Sequence, residues 1–427
     1  MPGVSRLNVY TLLFGSFFGI AMMSFINTSQ AFLFEEVLRI PQDEQGIVAG
    51  NMTFWSEVVV IAWIGIIGAM SDKIGRKPLW IAAFVIFAIG YFLYPLAESV
   101  EQLTAFRVFF ALGLALNTAM LPSVANDYPV DASRGKMIAV CFTLNGLGFI
   151  LIMAPIQQLL GVFTDITDGD VVKTARYWIW TASGICMFVA AGLAYGLKPG
   201  APAQLEKRDG ILTTLKVGLK EAKRVRVALA YLAAVVARGD MAVLSTFFVL
   251  WLTQEGVNAG LSTADAAQRG LMFYIIIQVF ALCWLPVLGL LLDKMDRVLG
   301  LAMAMVLAGL GYYSLWMLVD PLGPMIWVCA VLVGMGEMSA NLASLTLIGS
   351  EAPEKGRGAV IGLFSLCGAV GILLTAKLGG SLSAEFGGVA PFVLVGSANF
   401  VVLVVALIVW RIAPKPAVKG EAVAVGH

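Results

Sequence analysis

Long apolar runs separated by short polar breaks make up most of the chain. They cover about 8–33, 46–70, 79–97, 103–125, 136–161, 177–197, 227–252, 270–292, 298–319, 324–349, 358–383 and 390–411. Each run is near the roughly 20 residues that an α-helix needs to cross the hydrocarbon core of a bilayer. The runs are continuous rather than alternating apolar and polar, which argues against a transmembrane β-barrel. The pattern predicts an all-α membrane protein with twelve transmembrane helices. Pro122, Pro155 and Pro286 fall inside runs and are expected to kink spans four, five and eight. The first run is too long for a secretory signal and has neither the basic leader nor the small-residue cleavage site of one, so it reads as a retained helix.

The polar breaks carry a second pattern. With the N-terminus inside, three-quarters of the 28 lysines and arginines fall on one side of the membrane. That set includes Arg6, Lys73, Arg76, Lys77, Arg134, Lys136, a dense cluster from Lys198 to Arg226, and Lys294, Arg297, Lys355, Arg357 and Arg411. The opposite breaks hold only Arg39, Lys173, Arg176 and Arg269, with Arg107 near them. Positive charge is retained in the cytoplasm, so both termini are expected there. The longest break opens with Pro199 and Pro202, which end span six. Within it Ile211, Leu215 and Leu219 recur at helical spacing opposite Lys216, Lys220 and Lys223, predicting a basic amphipathic helix on the inner membrane surface. The expected organisation is a six-helix bundle over 1–197, a cytoplasmic linker over 198–226, a second six-helix bundle over 227–411 and a disordered tail over 412–427.

Composition narrows the function. Of the 427 residues, 59% are hydrophobic and 13% charged, and the mean hydropathy is +0.89. So little polar surface rules out a soluble globular protein of this size. The net charge of +1 offers no basic field for nucleic acid. The only histidine is the final residue, His427, and the five cysteines lie in apolar stretches with no CxxC pair. No phosphate-binding GxxxxGK[ST] loop occurs. No catalytic residues, cofactor or metal site are therefore expected, and the chain has no ATP site of its own to supply energy.

An internal repeat supports a duplicated scaffold. Gly68, Asp72, Lys73 and Arg76 in the loop after span two match Gly289, Asp293, Lys294 and Arg297 after span eight, at a constant offset of 221. Asp127-Tyr128-Pro129 followed by Arg134-Gly135-Lys136 echoes Glu351-Ala352-Pro353 followed by Lys355-Gly356-Arg357. Six spans plus six, with matching loops, is the signature of a duplicated transporter.

Residues 68–77 read GAMSDKIGRK. They match the motif G-x-x-x-D-[KR]-x-G-R-[KR] that is diagnostic of the major facilitator superfamily, which the whole chain resembles. Arg107 with Gly113 resembles the family's fourth-span arginine motif. The region around Pro155 lacks the G-P-x-x-G-G signature of the family's proton-driven drug exporters. The resemblance implies two pseudo-symmetric six-helix bundles and a protein that works as a monomer. It also implies a cytoplasmic latch formed when the protein faces outward. In that latch Asp72 would cap span eleven and Arg76 would pair with Asp127. Gly68 and Gly75 would allow close approach and a tight turn, and Asp293 and Arg297 would form a weaker second copy.

Five ionisable residues fall well inside spans: Glu57, Arg238, Asp240, Glu337 and Lys377. Charge is costly at membrane depth, so each is expected to face the protein interior or a water-filled cavity. Glu57 and its repeat equivalent Gln278 are polar in both halves. Glu337, Asn341 and Ser344 form a stripe on span ten. Arg238 and Asp240 lie about 200° apart on a helix and cannot both face the cavity centre. Because loss of water favours a neutral carboxyl, Glu57, Asp240 and Glu337 are candidates for proton coupling. The guanidinium of Arg238 is a candidate for holding a carboxylate or phosphate, with Asn27, Asn117, Asn145, Gln278 and Asn341 as further substrate-binding candidates. The first expectation is a proton-coupled secondary transporter moving a small organic anion by alternating access. The alternatives are an exporter of drugs, lipophilic cations or lipids, then a metal-ion transporter, then a non-transporting sensor or scaffold. A bacterial protein of this kind would sit in the inner membrane.

Overall fold

The computed structural model describes residues 3–129, 131–200, 211–353 and 356–413. Pro202, Lys355 and the expected tail from residue 414 onward lie outside them, as do the side chains of Arg134, Ile211 and Leu215. Thirteen α-helices and no strand occur among the described residues. The first six are α1 (Arg6–Phe32), α2 (Gln42–Ile74), α3 (Arg76–Leu93), α4 (Val100–Asp127), α5 (Asp131–Ile166) and α6 (Val171–Gly196). A short α7 (Ile211–Glu221) follows. The last six are α8 (Val225–Asn258), α9 (Thr263–Lys294), α10 (Arg297–Trp316), α11 (Ile326–Glu351), α12 (Arg357–Phe386) and α13 (Ala390–Ile412). All but α7 are long and apolar enough to cross a membrane, twelve in number.

Several helices outrun the apolar blocks that predicted them. The 33 residues of α2 reach about 50 Å at 1.5 Å per residue, well beyond a hydrocarbon core of roughly 30 Å. Their polar ends therefore project into the headgroup layer. Local chemistry sets where many helices begin. Ser5, Ser99, Asp170, Ser262 and Asp296 each accept a backbone N–H of the first turn of α1, α4, α6, α9 and α10. Between α2 and α3 the chain turns at Gly75 with φ +92°, a left-handed conformation that a side chain would resist. Pro122, Pro155 and Pro286 sit inside the continuous helices α4, α5 and α9.

Packing repeats with a shift of seven elements. α1 packs on α5 as α8 does on α12, α3 on α6 as α10 on α13, and α2 on α4 as α9 on α11. Two pseudo-symmetric six-helix bundles result. They meet through α2 on α12 and through the related pair α5 on α9. The termini lie at one end of the molecule, here the termini face, and the opposite end is the far face. One hydrophobic core runs through the first bundle and into the far-face portion of the second, taking in Phe247, Phe248, Trp251 and Phe392. A separate core, built only from residues between 227 and 409, fills the termini-face portion of the second bundle. Apolar packing therefore joins the bundles toward the far face.

Helix α7 is not a free strip on the membrane. Gly218 packs against Ala359 and Leu363 of α12, and the Tyr231 hydroxyl donates to the Gly218 carbonyl at 3.2 Å. Leu219 points away and is 60% exposed, beside exposed Lys216, Lys220 and Lys223.

Candidate functional site

Arg238 is exposed although it lies near the middle of α8. Its stem rests on Gly368 of α12, where an added Cβ would come within 2.6 Å of Arg238 Cγ. Its charge acts on Glu57, which is half-buried at the middle of α2. Arg238 thus has neighbours from both bundles, Gly368 on α12 and Glu57 on α2, at the space between them. No acid lies within 4.0 Å of it among the described residues, so Arg238 and Glu57 face each other without a direct ion pair.

The far end of this space is closed by polar contacts between the bundles. The Thr53 and Thr246 hydroxyls lie 3.2 Å apart. Gln30 Nε2 donates to the Thr246 carbonyl at 3.3 Å. Gln254 Nε2 donates to the Gln42 carbonyl and to Gln45 Oε1, both at 3.0 Å. Lys377 Nζ donates to Asn51 Oδ1 at 2.7 Å, so this lysine belongs to the seam rather than to the Arg238 neighbourhood.

Asp240 and Glu337 are not in the open space. Asp240 is fully buried, and Asn399 Nδ2 of α13 donates to both of its oxygens, at 3.0 and 2.9 Å. Glu337 is 2% exposed, and Gln278 Nε2 lies 3.5 Å from its Oε2. Asn341 is half-buried one turn along α11, and its carbonyl accepts from buried Ser344 at 2.8 Å. The stripe read from the sequence therefore faces mainly into the second bundle. Asn399 was absent from the sequence-based candidates. The signal that could have found it is a lone amide inside the otherwise apolar last run.

The first bundle has its own buried polar set. Asn27 accepts from Arg107 Nη2, and Ser56 accepts from Arg107 Nε at 3.3 Å. Arg107 is 3% exposed and its Nη1 has no partner. Asn117 Oδ1 accepts from the Trp80 indole at 2.7 Å. Asn117 and Asn145 both approach α1 at Gly19, and the carbonyl oxygen of the Asn145 side chain is buried without a partner. Of the substrate candidates, Asn27 thus serves Arg107, Asn117 serves Trp80, and Gln278 serves Glu337.

At the termini face, Arg76 Nη1 reaches Asp72 Oδ1 at 2.7 Å and Ser71 Oγ at 2.5 Å, and its Nε reaches Asp127 Oδ2 at 3.0 Å. Close backbone approaches of α2 to α12 occur toward their far ends, where Gly46 meets Ser383 and Gly50 meets Ala376 and Gly380. Gly68 lies in the last turns of α2. The second copy is wired differently. Arg297 pairs with Asp293 at 3.0 Å, whereas Glu351 pairs at 3.2 Å with Arg226, which also holds Asp296 at 3.1 Å and the Ala413 carbonyl at 2.9 Å. The role of Arg226 was hidden in the sequence by the basic cluster around it. No group of three His, Cys, Asp or Glu that could hold a metal occurs among the described residues.

Comparison with known proteins adds to this geometry. The sequence profile described as Major Facilitator Superfamily matches residues 12–376 and 264–426. The chain is 24% identical over 396 residues to magnetosome protein MamH of Paramagnetospirillum magneticum, covering 90% of this chain and 88% of MamH. It is also 24% identical to magnetosome protein MamZ of the same organism, covering 90% of this chain but only 60% of MamZ. Among solved structures, the nucleoside transporter NupG superposes with a TM-score of 0.74 at 13% identity, covering 95% of this chain and 100% of that one.

Proposed function

The chain belongs to the Major Facilitator Superfamily, and we propose that it is a secondary active transporter that moves a small organic anion by alternating access, coupled to protons. Arg238 carries this reading. A charge exposed in mid-membrane without an ion pair is expensive unless it serves a ligand, and a guanidinium fork matches carboxylate and phosphate oxygens. Glu57, across the inter-bundle space, is the group placed to exchange a proton as the anion arrives. The closed far face and the separate termini-face core support a conformation open toward the termini. By the charge asymmetry of the loops that side is the cytoplasm, and in a bacterium the membrane is the inner one. Asp72, Arg76 and Asp127 would then form contacts to α12 as the protein turns outward.

Thermal unfolding of the purified protein with small carboxylates, phosphates, lipophilic cations and lipids tests the reading. A ligand at about a hundred times its Kd adds roughly 2.7 kcal/mol of stability. Carboxylates or phosphates are expected to raise the Tm of the native protein and to leave Arg238→Gln unchanged. In proteoliposomes a proton gradient is expected to accelerate uptake of that anion, and Glu57→Gln to remove the acceleration. If only lipophilic cations or lipids stabilise the protein, and still do so in Arg238→Gln, the anion reading fails in favour of an exporter.

A further inference from the structure

Away from the inter-bundle space, the second bundle encloses a set of oxygen atoms whose bonding is incomplete. Asp240 of α8 is fully buried and Glu337 of α11 is 2% exposed. Neither has a lysine or arginine within 4.0 Å among the described residues. A single nitrogen, Asn399 Nδ2, lies within 3.0 Å of both Asp240 oxygens and 2.9 Å from the Val395 carbonyl, while Asn399 Oδ1 is buried with no partner. The hydroxyl of Tyr312 in α10 is likewise buried with no partner, and it lies in the field of both carboxyls.

Packing brings together the helices that carry these groups. Tyr312 rests against Gly396, one turn from Asn399 on α13. Gly336, beside Glu337, rests against Ala308, one turn from Tyr312 on α10. Asp240 is held to the same point by its bonds to Asn399. Four helices thus carry two carboxyls, a phenol and an amide, with Asp240 and Asn399 in direct contact and the Tyr312 phenol within electrostatic reach of Asp240 and Glu337. Neither carboxyl has a lysine or arginine to pair with among the described residues, and the Asn399 Oδ1 and Tyr312 hydroxyl oxygens remain unused.

We propose that Asp240, Glu337, Tyr312 and Asn399 form a binding site for a hard metal cation, sodium or a small divalent ion, inside the second bundle. An all-oxygen set suits such ions and disfavours soft ones. Rotation of the Asn399 amide by half a turn exchanges Nδ2 for Oδ1 and presents the idle oxygen to the ion. The site is separate from the proposed anion pocket, yet Asp240 is two residues from Arg238 on α8. An ion bound at Asp240 therefore braces the helix that carries Arg238.

The test is thermal unfolding of the full-length protein without any organic solute, in choline chloride, then in sodium, potassium, magnesium, calcium or manganese chloride at matched ionic strength. One hard cation is expected to raise the Tm saturably, and the salt that does so separates sodium from a divalent ion. Asp240→Asn is expected to abolish the shift. Tyr312→Phe, which keeps the ring and removes only the hydroxyl, is expected to raise the half-saturating concentration at least several-fold, and it decides the question if Asp240→Asn does not fold. Identical curves in every salt overturn the site, as does a selective shift that survives in both variants. Because no anion is present, that failure leaves the Arg238 reading standing.

Discussion

Arg76 and Arg297 occupy equivalent positions in the two halves, and their surroundings give them unequal weight. Arg76 is 9% exposed and bonds Asp72, Ser71 and Asp127. Arg297 pairs with Asp293, whose side chain is 72% exposed. Charge-assisted bonds in partial shelter are worth more than a pair in open water. Arg76→Ala is expected to cost about 1–3 kcal/mol, and Arg297→Ala less than about 1 kcal/mol. Thermal unfolding of the two variants side by side checks the order, and equal losses would contradict it. The residue scale also exposes what sequence patterns miss. Arg107 matched a family motif, but its buried bonds to Asn27 and Ser56 become visible only when α1, α2 and α4 are assembled.

At the scale of elements, the seam between α2 and α12 depends on the absence of side chains. A Cβ on Gly50 would lie 2.3 Å from the Ala376 carbonyl oxygen, so the two helices approach backbone to backbone. Gly50→Val must push them apart. Overpacking of this kind costs about 1–3 kcal/mol, enough to shift a two-state equilibrium roughly 5- to 150-fold. The variant is expected to favour a conformation open at the far face. With Ser383→Cys added, the new thiol should then react faster with a membrane-impermeant reagent supplied from that side. An unchanged labelling rate would show that the seam tolerates the side chain. Helix α7 shows the same economy at Gly218, where the linker meets α12.

For the whole molecule, two bundles closed together at one face imply that transport requires this face to open. Thr53 and Thr246 are the points to hold, since their hydroxyl oxygens lie 3.2 Å apart across the seam. Thr53→Cys with Thr246→Cys, in a background lacking the five native cysteines, is expected to cross-link under oxidation. Transport should stop when the bond forms and return when a reductant breaks it. Full transport by the cross-linked protein would show that the far face need not open.

Twelve spans, the duplicated loops and the 68–77 motif were legible because each is written locally along the chain. An apolar run long enough to cross a bilayer must bond its own backbone as a helix, and a repeat is visible as spacing alone. The candidate site was legible only as a set of costly residues. Which of them meet was decided by assembly. Asn399 and Asp240 are 159 residues apart, and Arg226 and Glu351 are 125 apart. No local rule relates such distant positions, because their contact depends on the angles and offsets at which helices pack. The closed face follows the same logic. An alternating-access sequence must be compatible with both open states, so the chain alone specifies the two bundles, while their tertiary arrangement decides which end is sealed.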